Sequence, residues 1–210
     1  FMGYNPKLFI GVCNSQEFVP SDFHWSWEMM EKPYKYDRVR FTHPDDSIRN
    51  NAMIDLFLQG NCDIMVKMDI DQKYPIHFFE FLVPQVEKYK VIGPLIYNKW
   101  RTTNYTPLMY VENSYPFMGK TMENYSGIVE VPYPHTNLFY ARETLENIKP
   151  PWYVKHYDEK GLHRTNDTDF TFLDKVKEQG YKLYINTSVH VGHLVHDAVD
   201  VKTHNRWNRK

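Results

Sequence analysis

The chain has 210 residues and a formal net charge of −1, which gives length for one domain with a full core and none of the basic excess of a nucleic-acid binder. Hydrophobic residues make up 42%, which excludes a disordered chain, and no apolar run reaches the length of a membrane span. Aromatic residues reach 16%, with 16 Tyr, 13 Phe and 5 Trp; such an excess suits stacking on sugars and bases as well as core packing.

Lys7 to Cys13 predicts a first strand that ends at Asn14-Ser15-Gln16. Ser21 is a candidate cap for a helix through about Lys32, with Phe23, Trp27 and Met30 on one face and Pro33 closing it. Asp37 to Thr42 alternates as a second strand. Ser47 is then expected to cap a helix over Ile48 to Gln59, with Ile48, Ala52, Leu56 and Phe57 as its buried stripe and Gly60 at its end. A third strand follows from Asp63 to Asp69. Pro75 suits a helix N-terminus, and the segment to Tyr89 carries Phe78, Phe79, Leu82 and Val86, with Pro84 a kink or break. Val91 to Tyr97 predicts a fourth strand, irregular at Gly93-Pro94.

The second half has a different texture. Asn98 to Ser126 is polar and aromatic without a clean period and predicts loops over a cleft. Short strands are expected over Ile128 to Tyr133 and Asn137 to Ala141, and a short helix from Arg142 to Ile148, closed by Pro150-Pro151. Trp152 to Thr165 predicts a loop. Asn166 is a candidate cap for a helix to Gln179, with Phe170, Leu173 and Val176 inward. A last strand over Tyr181 to Thr187 leads into Ser188 to Leu194, and His196 to Lys210 forms a polar tail. Alternating strands and helices predict an α/β fold with a mainly parallel sheet flanked by helices and a small additional β element. Ligands of such sheets bind beyond the carboxyl ends of the strands, where Cys13-Asn14 and Asp69-Asp71 both fall.

Cys13 and Cys62 lie beside predicted strands and suggest reduced core thiols in a cytosolic-type compartment. The N-terminus has no signal-peptide pattern. The opening Phe1-Met2-Gly3 has the look of an edge, so the chain is expected to be one piece of a longer protein. The N-x-Ser/Thr triplets at Asn104, Asn124, Asn166 and Asn186 are attributed to chance.

Four groups could carry chemistry. Asp69-Ile70-Asp71 ends a buried apolar run, and carboxylates there need compensation, either as capping groups at a turn or as anchors of a divalent cation. His193 follows a glycine at a sheet end, where it is either structural or a third ligand. Asp167 and Asp169 fall in the first turn of a helix, which the helix dipole alone explains unless one carboxylate turns into the cleft as a base. Arg49 and Asn50 open the second helix, where arginine opposes the dipole and needs a partner: a phosphate, or Asp46 or Asp71.

In this order the motifs resemble the family 2-like, GT-A fold glycosyltransferases. Ser47 to Pro75 is similar to that family's Arg-Asn helix, strand and D-x-D block. Asn137 to Leu194 is similar to its second half, through NLFYARETLENIKPPWY and NDTDFTFLDKVKEQGYKLYINTSVHVGHL. The compact chain also looks like glycosyltransferase domains of large DNA viruses such as chloroviruses, which implies the host cytoplasm as its location.

The resemblance implies a single GT-A, Rossmann-like domain: a nucleotide-binding half over 1–97, an acceptor and metal-completing half over 98–194, and a tail over 195–210. It implies Mn²⁺ or Mg²⁺ on Asp71 and His193, with Asp69 facing the metal or the ribose. Val12, Cys13 and Asn14 would hold uracil and ribose, Arg49 would lie near the nucleotide, and Asp167 would be the base. The family commonly has Glu-Asp where this chain has Asn166-Asp167, so retention of configuration, with Asp167 or Asp169 only positioning substrate, stays open. Tyr97, Trp100 and Trp152 are candidates to stack on the acceptor or to pack under a loop.

The expected activity is metal-dependent transfer of a hexose or deoxyhexose from a UDP-sugar to an acceptor hydroxyl on a glycan, by a monomer without nucleic-acid partners. Two alternatives remain. A nucleotidyltransferase would favour a Gly-rich basic loop after the first strand, where this chain has CNSQEF. A carbohydrate-binding domain of the same fold would have lost catalysis, which the intact Asp69, Asp71 and His193 argue against.

Overall fold

The computed structural model describes residues 5–14, 19–97, 107–112, 120–134 and 137–194. Its strands in chain order are β1 (Leu8–Asn14), β2 (Tyr36–Thr42), β3 (Ile64–Asp69), β4 (Gln72–Lys73), β5 (Val91–Ile96), β6 (Met109–Tyr110), β7 (Ile128–Glu130), β8 (Tyr133–Pro134), β9 (Phe139–Ala141) and β10 (Tyr184–His193). The helices are α1 (Ser21–Met29), α2 (Asp46–Gln59), α3 (Phe78–Tyr89), α4 (Arg142–Glu146) and α5 (Thr168–Glu178). None is long and apolar enough to cross a membrane.

The main sheet runs β2-β1-β3-β9-β5-β10-β4, with β7 paired to β10, and β6 and β8 form a small second sheet. β1 is parallel to β2 and β3, and β5 is parallel to β10. The short β9 is antiparallel to both β3 and β5, so those two run the same way on either side of it. The sheet is therefore mainly parallel, with β9 reversed at its centre and the short β4 and β7 reversed against β10. β3 and β5 are almost wholly buried, as parallel strands covered on both faces must be. β2 is an edge strand with mostly exposed side chains; its Asp37, Arg38 and Arg40 suit a guarded edge.

Neighbouring residues of a strand point to opposite faces. A Cβ on Gly11 of β1 would stand 2.2 Å from the Met53 sulfur of α2, so glycine permits that close approach. Val12, next along, lines a cavity with Phe23 and Trp27 of α1. α1 and α2 thus cover opposite faces. Trp27 meets Phe79 of α3 edge to face at 6.4 Å, which places α3 beside α1. On the other face Asn51 of α2 accepts the backbone N–H groups of Trp152 and Tyr153, at 2.8 and 3.0 Å. The Tyr153 ring stacks on Phe172 of α5 with centroids 4.5 Å apart.

Several expectations shift. α1 stops at Met29, where Lys32 Nζ donates to the carbonyls of Trp27 and Met30; Ser21 makes no cap bond. Asp45, not Ser47, caps α2, accepting from the N–H groups of Ser47 and Ile48. The buried face of α2 is Asn50, Met53, Ile54 and Phe57, while Ile48 and Leu56 are exposed. Asn50 can face inward because the Cys13 thiol donates to it at 3.4 Å, and a polar group with a partner is cheap to bury. α3 starts at Phe78 and continues through Pro84. Asp167, not Asn166, caps α5. The last strand is one long β10, and the two-residue β4 paired against its end was not foreseen.

One arginine joins the two halves. Arg142 at the start of α4 donates to the carbonyls of Phe57 and Gly60, both at 2.9 Å, and of Cys62 at 2.7 Å. The carbonyls at the end of α2, which have no partner within the helix, are satisfied from 80 residues away.

Candidate active site

The site begins where β3 ends. Asp69 closes β3, the chain turns at Ile70-Asp71, and β4 follows at once. The turn is held from several sides. The Asp69 N–H donates to Asn137 Oδ1 at 3.0 Å and to Tyr74 Oη at 2.9 Å. The Tyr74 hydroxyl lies 2.7 Å from Asn137 Oδ1 and 3.0 Å from the Asp69 carbonyl. The Asn137 amide donates to the Gln72 side chain. Tyr74, Asn137 and Gln72 are all buried, so this network fixes the backbone that presents the two carboxylates.

β4 also explains why His193 is here. It pairs antiparallel with the end of β10, and His193 stands opposite Gln72. The Leu194 N–H donates to the Asp71 carbonyl at 2.8 Å. His193 Nε2 lies 3.4 Å from Asp71 Oδ2, and its Nδ1 lies 3.0 Å from the Tyr97 carbonyl. A carbonyl only accepts, so Nδ1 is the nitrogen that donates to Tyr97, which leaves Nε2 as the ring nitrogen facing Asp71. Metal-bound histidines are commonly oriented in this way. Neighbouring ligands of an octahedral ion with bonds near 2.1 Å are separated by about 3 Å, so the Asp71–His193 spacing fits one shared divalent cation.

Asp69 goes elsewhere. Its Oδ2 lies 3.9 Å from Lys67 Nζ, and the same ammonium lies 3.2 Å from Asp169 Oδ1 of α5. Lys67 is buried in the middle of β3. Burial works against its charge, but Asp169 and then Asp69 more than offset this and hold its pKa above the ordinary lysine value. Among the described residues, the trio of potential ligands within 4.8 Å of one another is Glu31, His77 and Glu80, all exposed. It includes no residue of the D-x-D turn. Of the three side chains expected together, Asp71 and His193 lie side by side, while Asp69 faces a lysine.

The remaining candidates divide. Val12, Cys13 and Asn14 are buried at the end of β1, and burial pushes the Cys13 thiol up to about 12. Beside them a cavity of about 390 Å³ opens between α1 and β2, lined by Val12, Phe23, Trp27, Arg38 and Arg40 among others. Arg49 donates to the His43 carbonyl at 2.7 Å. The expected acidic partner Asp46 instead binds Lys155 at 2.8 Å and Arg164 at 3.3 Å. Tyr97 shares a 3.1 Å hydroxyl contact with Tyr125 and gives its carbonyl to His193. Trp152 is buried and its indole N–H donates to the Ile148 carbonyl at 2.9 Å; it packs under its loop and offers no face to an acceptor. Trp100 lies outside the described residues.

Asp167 also departs from its expected part. It is buried, and its Oδ1 accepts from the N–H groups of Asp169 at 2.8 Å and Phe170 at 3.2 Å. That is the geometry of a helix cap. Asp169, two residues on, is the α5 carboxylate that reaches β3, at Lys67. Sequence reasoning missed Lys67, Tyr74, Gln72 and Asn137. Lys67 had a signal: a charge inside a buried run must be compensated, and at i−2 it shares a strand face with Asp69.

With this geometry the chain has the GT-A fold of glycosyltransferases. No family model and no curated protein sequence matches it. Among solved structures it is similar to A197 from STIV, with 20% identity and a TM-score of 0.60 over 91% of this chain and 86% of that one. It is also similar to GalNAc-T7, solved with UDP, GalNAc and Mn²⁺, with 11% identity and a TM-score of 0.60. That match covers 92% of this chain but 44% of the GalNAc-T7 chain.

Proposed function

We propose that this chain is a metal-dependent glycosyltransferase that moves a hexose or deoxyhexose from a UDP-sugar to an acceptor hydroxyl on a glycan, within a single GT-A domain. The observation that carries the reading is the His193 ring, oriented by the Tyr97 carbonyl so that Nε2 faces Asp71 Oδ2 at 3.4 Å. Asp71 and His193 would hold Mn²⁺ or Mg²⁺, which when bound supplies positive charge to a diphosphate leaving group. The β1 end around Val12 to Asn14 and the adjoining cavity would take the uridine. Asp69, turned away from His193, would serve the ribose side. The UDP and Mn²⁺ bound in GalNAc-T7 support this choice of donor and ion.

Calorimetric titration of UDP in Mn²⁺ and in EDTA, on wild type and Asp71→Ala, tests the metal pair. Binding should need Mn²⁺ in wild type and be lost in Asp71→Ala; unchanged binding in the variant would sink the assignment. A screen of UDP-sugars for Mn²⁺-dependent UDP release then identifies the donor. Tight UDP binding without release from any of them would favour a carbohydrate-binding domain of the same fold.

A further inference from the structure

A buried lysine joins the two halves of the site. Lys67 stands in the middle of β3, two residues before Asp69 and on the same face of the strand. Its ammonium reaches Asp169 Oδ1 at 3.2 Å and Asp69 Oδ2 at 3.9 Å. Lys67 is 5% exposed in its side chain, whereas Asp169 and Asp69 keep 19% and 22%. The lysine is thus sealed, while both carboxylates reach the surface at the strand end. Tyr140 and Tyr153 are buried as well, and burial pushes both phenols above their ordinary range. In the low-dielectric surroundings that these rings help to make, an ion pair is poorly screened and strongly directional. Lys67 thus offsets two negative charges at once.

The N-terminal end of α5 offers two carboxylates, the cap Asp167 and Asp169, and the helix itself sorts them. Asp167 is turned back onto the N–H groups of residues 169 and 170. Asp169 is turned toward Lys67 of β3. We propose that Asp169 is the carboxylate presented to the acceptor hydroxyl, and that Lys67 is the positioning residue that fastens it beside the donor-binding strand end. This rests on the glycosyltransferase reading above, taken with inversion of configuration. In the step, the acceptor oxygen bonds to the anomeric carbon as the bond from that carbon to the diphosphate oxygen breaks. The hydroxyl proton passes to Asp169, and UDP leaves with the bonding electrons. The α5 carboxylate and the β3 lysine come from different halves of the chain, so acceptor and donor geometry would be coupled through one ion pair.

The test is steady-state kinetics with the donor found in the UDP-sugar screen, on Asp169→Asn, Lys67→Met, Lys67→Arg and the double variant Lys67→Met/Asp169→Asn. Asp169→Asn should lower kcat by about 100-fold or more, the range for a lost general base, and leave the donor KM and Mn²⁺-dependent UDP affinity within about 3-fold. Lys67→Met should lower kcat as well, and Lys67→Arg should recover part of the loss. In the double variant, kcat should be no lower than in Asp169→Asn alone, because the lysine acts through that carboxylate. A lysine with a merely structural role would give losses that multiply, together with a Tm drop that accounts for the lost activity. Thermal unfolding of all four variants separates these cases; the double variant removes both charges of the pair and guards against a Lys67→Met chain that fails to fold. An active wild type whose Asp169→Asn variant keeps full turnover, or multiplying losses, would overturn this proposal alone. A wild type that releases no UDP from any UDP-sugar would overturn the glycosyltransferase reading and this proposal with it.

Discussion

Replacing Asp167 separates capping from catalysis. Its Oδ1 holds two N–H groups at the start of α5, at 2.8 and 3.2 Å, and the side chain is 6% exposed. Asp167→Ala strands both donors where water does not readily replace the carboxylate. Loss of a cap costs about 0.5–2 kcal/mol, and the burial puts this site near 2 kcal/mol. At this chain length each kcal/mol lowers Tm by about 2–4 °C, so Asp167→Ala should melt about 4–8 °C early. Asparagine caps as well as aspartate, because its side-chain oxygen accepts the same bonds; it loses only the favourable charge at the helix N-terminus, about 0.3–1 kcal/mol. Asp167→Asn should therefore melt within about 4 °C of wild type. Differential scanning calorimetry and donor turnover, measured on the same preparations, provide the assay. If Asp167 is a cap, Asp167→Asn retains near-normal kcat, and Asp167→Ala loses activity only as it unfolds. An Asp167→Asn variant with unchanged Tm and a kcat about 100-fold down would refute the reasoning and make Asp167 the base.

Two further outcomes test the frame around the site. Arg142→Met should destabilise the fold by about 3 kcal/mol, since the carbonyls of Phe57, Gly60 and Cys62 lose charge-assisted donors together; chemical denaturation checks this, and a midpoint unchanged from wild type would mean that water serves those carbonyls equally well. Asp45 and Asp46 give an acid limit. Ser47 and Lys155 hold the Asp45 carboxyl well below its ordinary range. Burial opposes the Asp46 charge, but Lys155, Arg164 and Thr168 still draw that carboxyl down. A depressed carboxylate adds stability above its unfolded pKa of about 4, and that stability drains away as pH falls toward the folded value. Stability should therefore be level from neutral pH to about 5 and decline below 4, and Lys155→Met should flatten the decline. A variant with the same acid profile as wild type would remove this pair as the cause.

Much of the candidate site was legible in sequence because it is made of local patterns. A buried run that ends in carboxylates, and a glycine-histidine at the end of another strand, each mark a strand end. The phase of α2 was not legible. Its apolar residues suggested a stripe through Ile48 and Leu56, whereas Asn50 and Asn51 point inward to partners at Cys13, Trp152 and Tyr153. Those partners lie far away in the chain, so nothing in the helix's own sequence reveals them. The two acidic residues of α5 posed the same difficulty: spacing places both in the first turn, and only the cap geometry shows which one is turned inward.

What the sequence determined by itself was the succession of most strands and helices, the GT-A character of the fold, and the placing of Asp71 and His193 at strand ends. Period, punctuation and strand-end chemistry are properties of short segments, and they survive in one dimension. The tertiary structure decided how the carboxylates are shared. β4 brings Asp71 to His193 by pairing with the end of β10, while Lys67 draws Asp69 toward Asp169. Both outcomes depend on distances between residues roughly a hundred positions apart, and electrostatics in a buried site is set by those distances rather than by order along the chain.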